Sequence, residues 1–557
     1  MSQSRTRGRI EEFREEIDPL VFGAGVTVAV AFIVAYAVSP TVTVDGRQVN
    51  LLGKLIGDLN GWLWSNLSWF YLWSMLIFVA FTAFLIVGPW GRIKLGGEDV
   101  EPAHSFLTYF AMFFSAGIAA GIVFWGPAEA IYHFGNGTPL TGPDASARAK
   151  MLGSLQYTFF HWGISAWSAY LIVGVPIGYF AYNRGAPFRF STLLAPFVGV
   201  DNLEDSLTAK AVDVVAVFGT MGGIATSLGF IGQQLLAGVE YELGYSFGDL
   251  GTILTITGVT VIFTLSVVSG VDRGIKRLSQ LNVIVFVLLA VVVFVVGTPF
   301  FVLNLGTQAV GTYLQEFVAM SLFTGTGSGD AGFVGAWTVF YWAWWFAWAP
   351  FSGIFLAKIS RGRTIREITF VGVVATTLAT VPWFMIVGGT SMRLQASGAA
   401  DILGVINDPN YGIAASGYPL FEALPAGELL SALFFLLVIT FFVTSADSST
   451  LGIAMLTTGG KESPSELNRL VWGVLQGLVA SILVVIGGTE ALQQAAIITG
   501  GPVAAVGLVA VYGMIREFSS THGRVLVQEG AAVRGDDMLI GGRSSGEVPG
   551  GDASEDD

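Results

Sequence analysis

Four tryptophans, Trp342, Trp344, Trp345 and Trp348, fall within seven residues of the stretch YWAWWFAWAPFSGIFLAKISRGRTIR at 341–366. The faces of indole rings attract cations, and a quaternary ammonium is held well by several of them at once. A second aromatic set reads FHWGISAWSAY over 160–170. At about 100° per residue, Trp162, Trp167 and Tyr170 fall within an arc of roughly 140°, and Trp345 and Trp348 lie about 60° apart. Two such helices can face each other across a cage worth a few kcal/mol once water is excluded (about that order). An interfacial aromatic belt or lipid-facing packing is the alternative. The mid-helix position of these rings weighs against a belt.

A second chemistry is offered by FFVTSADSST at 441–450, where six polar side chains interrupt an apolar run. Such groups are costly in a membrane unless they face protein, water or an ion. Thr444 and Ser445 hydroxyls, with freed carbonyls, suit a weakly held monovalent cation such as Na+, while interhelical hydrogen bonding is the other use of such a cluster. Asp447 is a candidate ligand or a helix cap. Glu129 and His161, both inside apolar runs, are candidates for proton relay or for structural hydrogen bonds. With no cysteine, and four histidines not closely spaced, thiolate and histidine metal clusters are not expected. Neither a nucleophilic triad nor a Walker loop is present, which argues against a membrane enzyme and an ATP-driven pump.

These residues must be positioned by membrane helices. The 557-residue chain is 53% apolar and 12% charged, with a mean hydropathy of +0.67. That is the signature of an all-α polytopic membrane protein. Twelve apolar runs are expected near 20–40, 63–89, 104–134, 152–182, 210–237, 250–270, 281–304, 333–358, 367–390, 427–457, 467–488 and 490–515. The first is read as a retained helix rather than a signal peptide. Arg92/Lys94, Arg184/Arg189, Arg273/Lys276/Arg277, Lys358/Arg361/Arg363/Arg366 and Lys461/Arg469 fall in alternate loops. The positive-inside rule therefore expects twelve spans with both termini cytoplasmic in a cell membrane. Residues 1–18 form a cytoplasmic segment, 19–516 the transporter domain and 517–557 an acidic, disordered tail. The stretch GTYLQEFVAMSLF within 305–332 is expected to lie as an amphipathic surface helix. The loop 393–426 is a candidate external gate or a plain connector. A net charge of −13, with only seven lysines, disfavours nucleic acid and suits a salt-rich setting.

Two interruptions stand in comparable places: Ser115–Gly121 in the third run, and Pro350 with Gly353 in the eighth. Broken helices in matching positions point to an inverted repeat of five plus five helices, about 104–304 and 333–515, with the binding site between them. A channel or solute sensor would need a continuous polar pore or a signalling domain, and the sequence displays neither.

With these motifs in view, the chain resembles the betaine–choline–carnitine transporters over about residues 20–516. WAWWFAWAPFSGIFLAKISRGRTIRE is the most specific piece. GRIKLGGEDVEPAHSFLTYFAMFFSAGIAAGIVFWGPAE, FFHWGISAWSAY, SGVDRGIKRLSQLN and FFVTSADSSTLG support it. The resemblance implies a LeuT-type fold with two extra N-terminal helices, a homotrimer in membrane lipid, and import of glycine betaine or a related trimethylammonium zwitterion coupled to Na+. Choline, carnitine or ectoine, or H+ coupling, are the alternatives within the family. It implies an aromatic box of Trp162, Trp167, Tyr170 and Trp345, with Trp344 and Trp348 along the substrate path. It implies one Na+ site at Ser115, Ile118, Phe442, Thr444 and Ser445, and a second at Thr220 and Phe351. In the second, Ala216 replaces a threonine of the family. Gly117, Ala119 and Gly121 match the family's glycine stretch. There Ala119 adds a methyl, and Gly121 stands where choline-specific members carry Asp, which favours a zwitterion. No cofactor other than the coupling ion is implied.

Overall fold

Helices begin where capping residues stand. Asp18 accepts hydrogen bonds from the backbone N–H groups of Leu20 and Val21, and Pro19 opens helix α1, Pro19–Val38. A hairpin of β1 (Thr41–Val44) and β2 (Arg47–Asn50) leads into α2, Leu51–Val87. The structure is a computed structural model, and it describes residues 10–44, 46–115, 119–142, 144–268, 272–461 and 463–522. The remaining long helices are α3 (Phe106–Ser115), α4 (Ala119–Asn136), α5 (Ala147–Trp162), α6 (Ile164–Arg184), α7 (Leu207–Leu243), α8 (Gly248–Val268) and α9 (Asp272–Val296). They are followed by α10 (Pro299–Ser321), α11 (Phe340–Ile359), α12 (Ile365–Phe370), α13 (Thr376–Ser397), α14 (Gly427–Thr457) and α15 (Glu466–Thr521). Among the described residues, six helical segments are long and apolar enough to cross a membrane, or seven if the bent α9–α10 pair counts as one span. The chain is thus an all-α, multi-pass membrane protein.

Burial sorts the helices. The span from α5 through α6 is 89% buried inside the protein and that of α7 is 83%, against 17% for α1. The centre of the molecule is therefore α5, α6, α7 and α11, the elements that carry the tryptophans, and α1 runs along the outside.

Several boundaries differ from the sequence expectations, each for a local reason. The eighth run is not interrupted at Pro350 and Gly353. Helix α11 runs through both, as membrane helices tolerate when neighbours re-satisfy the backbone. Gly353 is instead a packing residue. A Cβ there would stand 2.4 Å from Val173 Cγ1 and 3.0 Å from the backbone N of Gly174, and a Cβ at Gly174 would meet the Gly353 carbonyl at 3.2 Å. Helices α6 and α11 thus touch backbone to backbone. The irregularity lies earlier, in a π-helical turn at Val334–Val339. The seventh run ends at Val296 rather than near 304. Gly297, Thr298 and Pro299 turn the chain by 108° into α10. One face of α10 buries Val302, Leu305 and Tyr313, while Phe300, Leu314 and Val318 are exposed. The eleventh and twelfth runs are joined into α15 across a kink at Gly487 and Gly488, the latter at φ 55°. Helix α15 continues to Thr521, so residues 517–521 are helical and not part of a disordered tail; residues 523–557 lie outside those described.

The loop 393–426 is docked. Tyr418 donates to the Gln234 carbonyl (2.9 Å) and Tyr241 to Glu422 (2.7 Å). Between this loop, α7 and the α15 kink lies a cavity of about 390 Å³ bordered by Gln233, Glu240, Tyr411 and Gly488.

At the other end of the bundle, the basic residues after α11 hold the chain together. Arg366 donates to the carbonyls of Ile86 and Gly88 at the end of α2 (2.7 and 2.9 Å), and Arg363 to that of His104 (2.7 Å). Arg189 and Asp213, both buried, pair directly, and Asp213 also accepts from the Ser191 N–H and hydroxyl at 2.8 and 2.9 Å.

Glu16 anchors the N-terminal segment. It accepts from the backbone N–H of Ser465 and from Lys461. Burial raises its pKa, but the hydrogen bonds from Ser465 and Lys461 outweigh that and leave it below the ordinary carboxylate range. A carboxyl with a depressed folded pKa stabilises above its unfolded pKa and loses that contribution as pH falls through the folded one. Protease cleavage near residues 10–18 is expected to accelerate only in acid below the ordinary carboxylate range, and to be fast at neutral pH in Glu16→Gln. Equal cleavage of both proteins at neutral pH would refute the anchor.

Candidate functional site

Helix α5 ends at Trp162 and α6 begins at Ile164, because Gly163 (φ −98°, ψ −134°) is not helical. A side chain cannot be placed there, since its Cβ would lie 2.5 Å from the Phe159 carbonyl. The uniform 100° arithmetic across Trp162, Trp167 and Tyr170 therefore fails at Gly163, yet the three rings still meet. Their common neighbour is Trp345 of α11. Its ring centroid lies 5.7 Å from Trp162, 5.4 Å from Trp167 and 5.1 Å from Tyr170. All four are at most 1% exposed. Trp345 Nε1 finds no acceptor among the described residues. Trp162 also stacks on Phe384 of α13 at 4.8 Å, and Trp167 donates to Thr380. The alternative roles, an interfacial belt or a lipid-facing surface, require exposure that these rings lack.

Trp344 and Trp348 are placed differently. Trp344 touches Trp162 edge-on at 6.2 Å, but its indole N–H is tied to the Gly223 carbonyl of α7. Trp348 donates to the same carbonyl and to Ser227, both at 3.1 Å. The expectation that Trp345 and Trp348 face the fourth run together is corrected: Trp348 turns toward α7. Gly223 permits this approach, since a Cβ there would lie 3.1 Å from the Trp348 ring.

The ion-site residues are only partly in view. Ile118 and Gly117 lie outside the described residues, as do the side chains of Ser115, Ala119, Phe442 and Ser445. Gly121 is buried in α4. Thr444 Oγ1 donates to the carbonyls of Thr440 and Phe441 and accepts from Asn282 Nδ2 at 2.9 Å. Asn282 thus takes one of the two lone pairs of the Thr444 hydroxyl and leaves the other. Thr220 is fully buried, and its hydroxyl finds no partner among the described residues. Phe351 is buried on α11, which packs against α7, while Ala216 leaves that side of the site apolar.

The residues matched to the betaine/carnitine/choline family transporter description run from 20 to 523. The chain belongs to that family. A probable glycine betaine transporter of Desulfitobacterium hafniense is 37% identical over 86% of this chain and 93% of its own length. The glycine betaine transporter OpuD of Bacillus subtilis is 38% identical over 82% and 87%. An ectoine/hydroxyectoine transporter of Virgibacillus pantothenticus is 34% identical over 88% and 96%. As a member of the betaine/carnitine/choline family, the protein is a transporter and not an enzyme.

Sequence reasoning about this family member named Glu129 and His161 singly and missed that they form one buried cluster with His133. Glu129 accepts from Trp162 Nε1 (2.7 Å) and the Tyr341 hydroxyl (2.6 Å) on one oxygen, and its other oxygen lies 2.7 Å from His161 Nδ1. His133 Nε2 stands 3.4 Å from that second oxygen. Two histidines that are distant in sequence thus meet at one carboxylate. Glu129 and His133 are four apart on α4, one helical turn, and the crossing of α5 over α4 adds His161. The i,i+4 pair in an apolar run was the available signal.

Proposed function

We propose that this transporter imports glycine betaine or a related trimethylammonium zwitterion, coupled to Na+, by alternating access. The observation that carries this reading is the set of four buried rings centred on Trp345. A trimethylammonium group offers its charge without hydrogen-bond donors, so aromatic faces are its natural partners. The printed descriptions of the relatives as glycine betaine transporters favour the same solute. Twelve spans with both termini cytoplasmic in the cell membrane, and two five-helix repeats, about 104–304 and 333–515, in a LeuT-type arrangement with α1 and α2 outside, are part of this proposal; the basic residues in alternate loops favour that count and orientation. Assembly as a homotrimer belongs to the same reading.

Sodium would be held by Ser115, Ile118, Phe442, Thr444 and Ser445, joining α3–α4 to α14, with Thr220 and Phe351 as a second position. Ion and solute together then favour closure from outside and opening inward. Uptake into proteoliposomes tests this. Radiolabelled betaine is expected to accumulate above the external concentration only with an inward Na+ gradient, and to be competed by choline, carnitine or ectoine more weakly than by betaine. Uptake indifferent to Na+ would overturn the coupling; stronger competition by ectoine would reassign the solute.

A further inference from the structure

Glu129, His133 and His161 are each fully buried, and they join three helices at the edge of the aromatic box. Glu129 and His133 belong to α4, and His161 to the last turn of α5. Thr338, which pairs with His161 Nε2 at 3.1 Å, belongs to the π-helical turn before α11. His133 packs against Trp337 of the same turn at 4.4 Å between ring centroids. Their ligand atoms lie within 4.8 Å of one another, close enough to consider a metal ion. The 2.7 Å separation of Glu129 from His161 argues against that. Two ligands of one tetrahedral zinc, at about 2.1 Å each from the metal, stand roughly 3.3 Å apart, whereas 2.7 Å is a charge-assisted hydrogen bond.

The charge count of the cluster then matters. A carboxylate with two neutral imidazoles carries one negative charge in a fully buried position, which is unfavourable. One bound proton makes the cluster neutral. The groups facing it from the surrounding helices add no compensating charge. Tyr341 comes from α11, Tyr157 from α5, and Phe333 and Trp337 from the segment before α11. Asp330, before the π-helical turn, brings no positive charge. Trp162 is the link outward. Its N–H is held by Glu129, and its ring is one wall of the box.

We infer that Glu129, His161 and His133 form a proton-binding site antagonistic to the solute: a cation entering the box beside Trp162 expels the cluster's proton. This rests on the proposed trimethylammonium substrate. The sign follows from Coulomb's law. A positive headgroup one indole away from the carboxylate favours the cluster with its negative charge uncovered, and disfavours the neutral, protonated one. Linkage makes the effect reciprocal, so acid weakens solute binding. No proton needs to cross the membrane, and the expelled proton passes to solvent. Glu129 is also a positioning residue, because its carboxylate holds the Trp162 and Tyr341 rings together.

Titration calorimetry tests this on the full-length protein in detergent, with glycine betaine added at fixed Na+ in two buffers of different ionisation enthalpy. A buffer-dependent heat is expected, equal to release of a fraction of a proton per betaine bound. Affinity is expected to fall by up to about tenfold per pH unit on the acid side of the titration. Glu129→Gln keeps acceptors for Trp162 and Tyr341 and is expected to bind betaine with no proton release and no pH dependence. His161→Gln, a second and independent variant, is expected to reduce the release. Betaine binding with buffer-independent heat in the unaltered protein would overturn the inference. So would undiminished release in Glu129→Gln, which would leave that residue a purely structural role. Absence of any betaine binding would overturn the substrate assignment, and the coupling with it.

Discussion

Trp345→Leu is expected to abolish measurable betaine binding while leaving the protein folded. Trp345 is the ring that Trp162, Trp167 and Tyr170 share, so its loss removes one face of the box and slackens the other three. A desolvated cation–π contact is worth about 2 kcal/mol, or roughly thirtyfold in affinity. Leucine also leaves part of the indole volume empty, and the neighbouring rings then lose their fixed orientation. The two effects together are expected to weaken binding by at least about a hundredfold. Trp345→Phe keeps a face and is expected to lose less than Trp345→Leu. Thermal melting and gel filtration in detergent separate loss of binding from loss of fold. An unchanged affinity in Trp345→Leu would remove the box from the account.

The largest effect on stability is expected at Asp213, far from any solute. Its carboxylate accepts from Arg189 Nε at 2.8 Å and from the Ser191 N–H and hydroxyl. Arg189 is 5% exposed, and its next carboxylate, Asp18, is 3.8 Å away. Asp213→Ala strands a buried guanidinium and leaves the two Ser191 donors without their acceptor. Breaking a buried ion pair from one side costs about 3–5 kcal/mol. The expected result is a large drop in melting temperature and in folded yield from detergent extracts. The double variant Arg189→Met/Asp213→Leu, which removes both charges, is expected to recover much of that loss. A single variant as stable as the parent would show that the arginine finds water or another partner.

The long elements were legible in the sequence because apolar runs and caps are local signals. Charges fell into alternate loops, and the start of α1 is written in Asp18 and Pro19. The aromatic partners of Trp345 were legible too, although the arithmetic that grouped them assumed a helix that Gly163 does not continue. What escaped depended on long-range packing. Pro350 and Gly353 look like a break, but whether a glycine ends a helix or admits a neighbour is decided by the neighbour, here Gly174. Trp348 differs from Trp345 by less than one turn, and only the position of the Gly223 carbonyl turns it away. Asn282 reaches Thr444 across 162 positions of chain, a separation that no local pattern encodes. The Glu129 cluster lay between these cases, since half of it sits one turn apart on a single helix.

The backbone contact between Gly174 and Gly353 has a mechanical consequence. Trp167 and Tyr170 stand on the same helix as Gly174, and Trp345 on the same helix as Gly353, so three of the four rings ride on a single stiff pair of rods. Trp162 does not; it is attached through the joint at Gly163 and tethered to Glu129. The four-ring cage is therefore a fixed jaw of three and a hinged jaw of one. On the proposed binding mode, room for the solute would come from swinging the hinged jaw, with loss of the Trp162–Glu129 hydrogen bond, rather than from parting the rods.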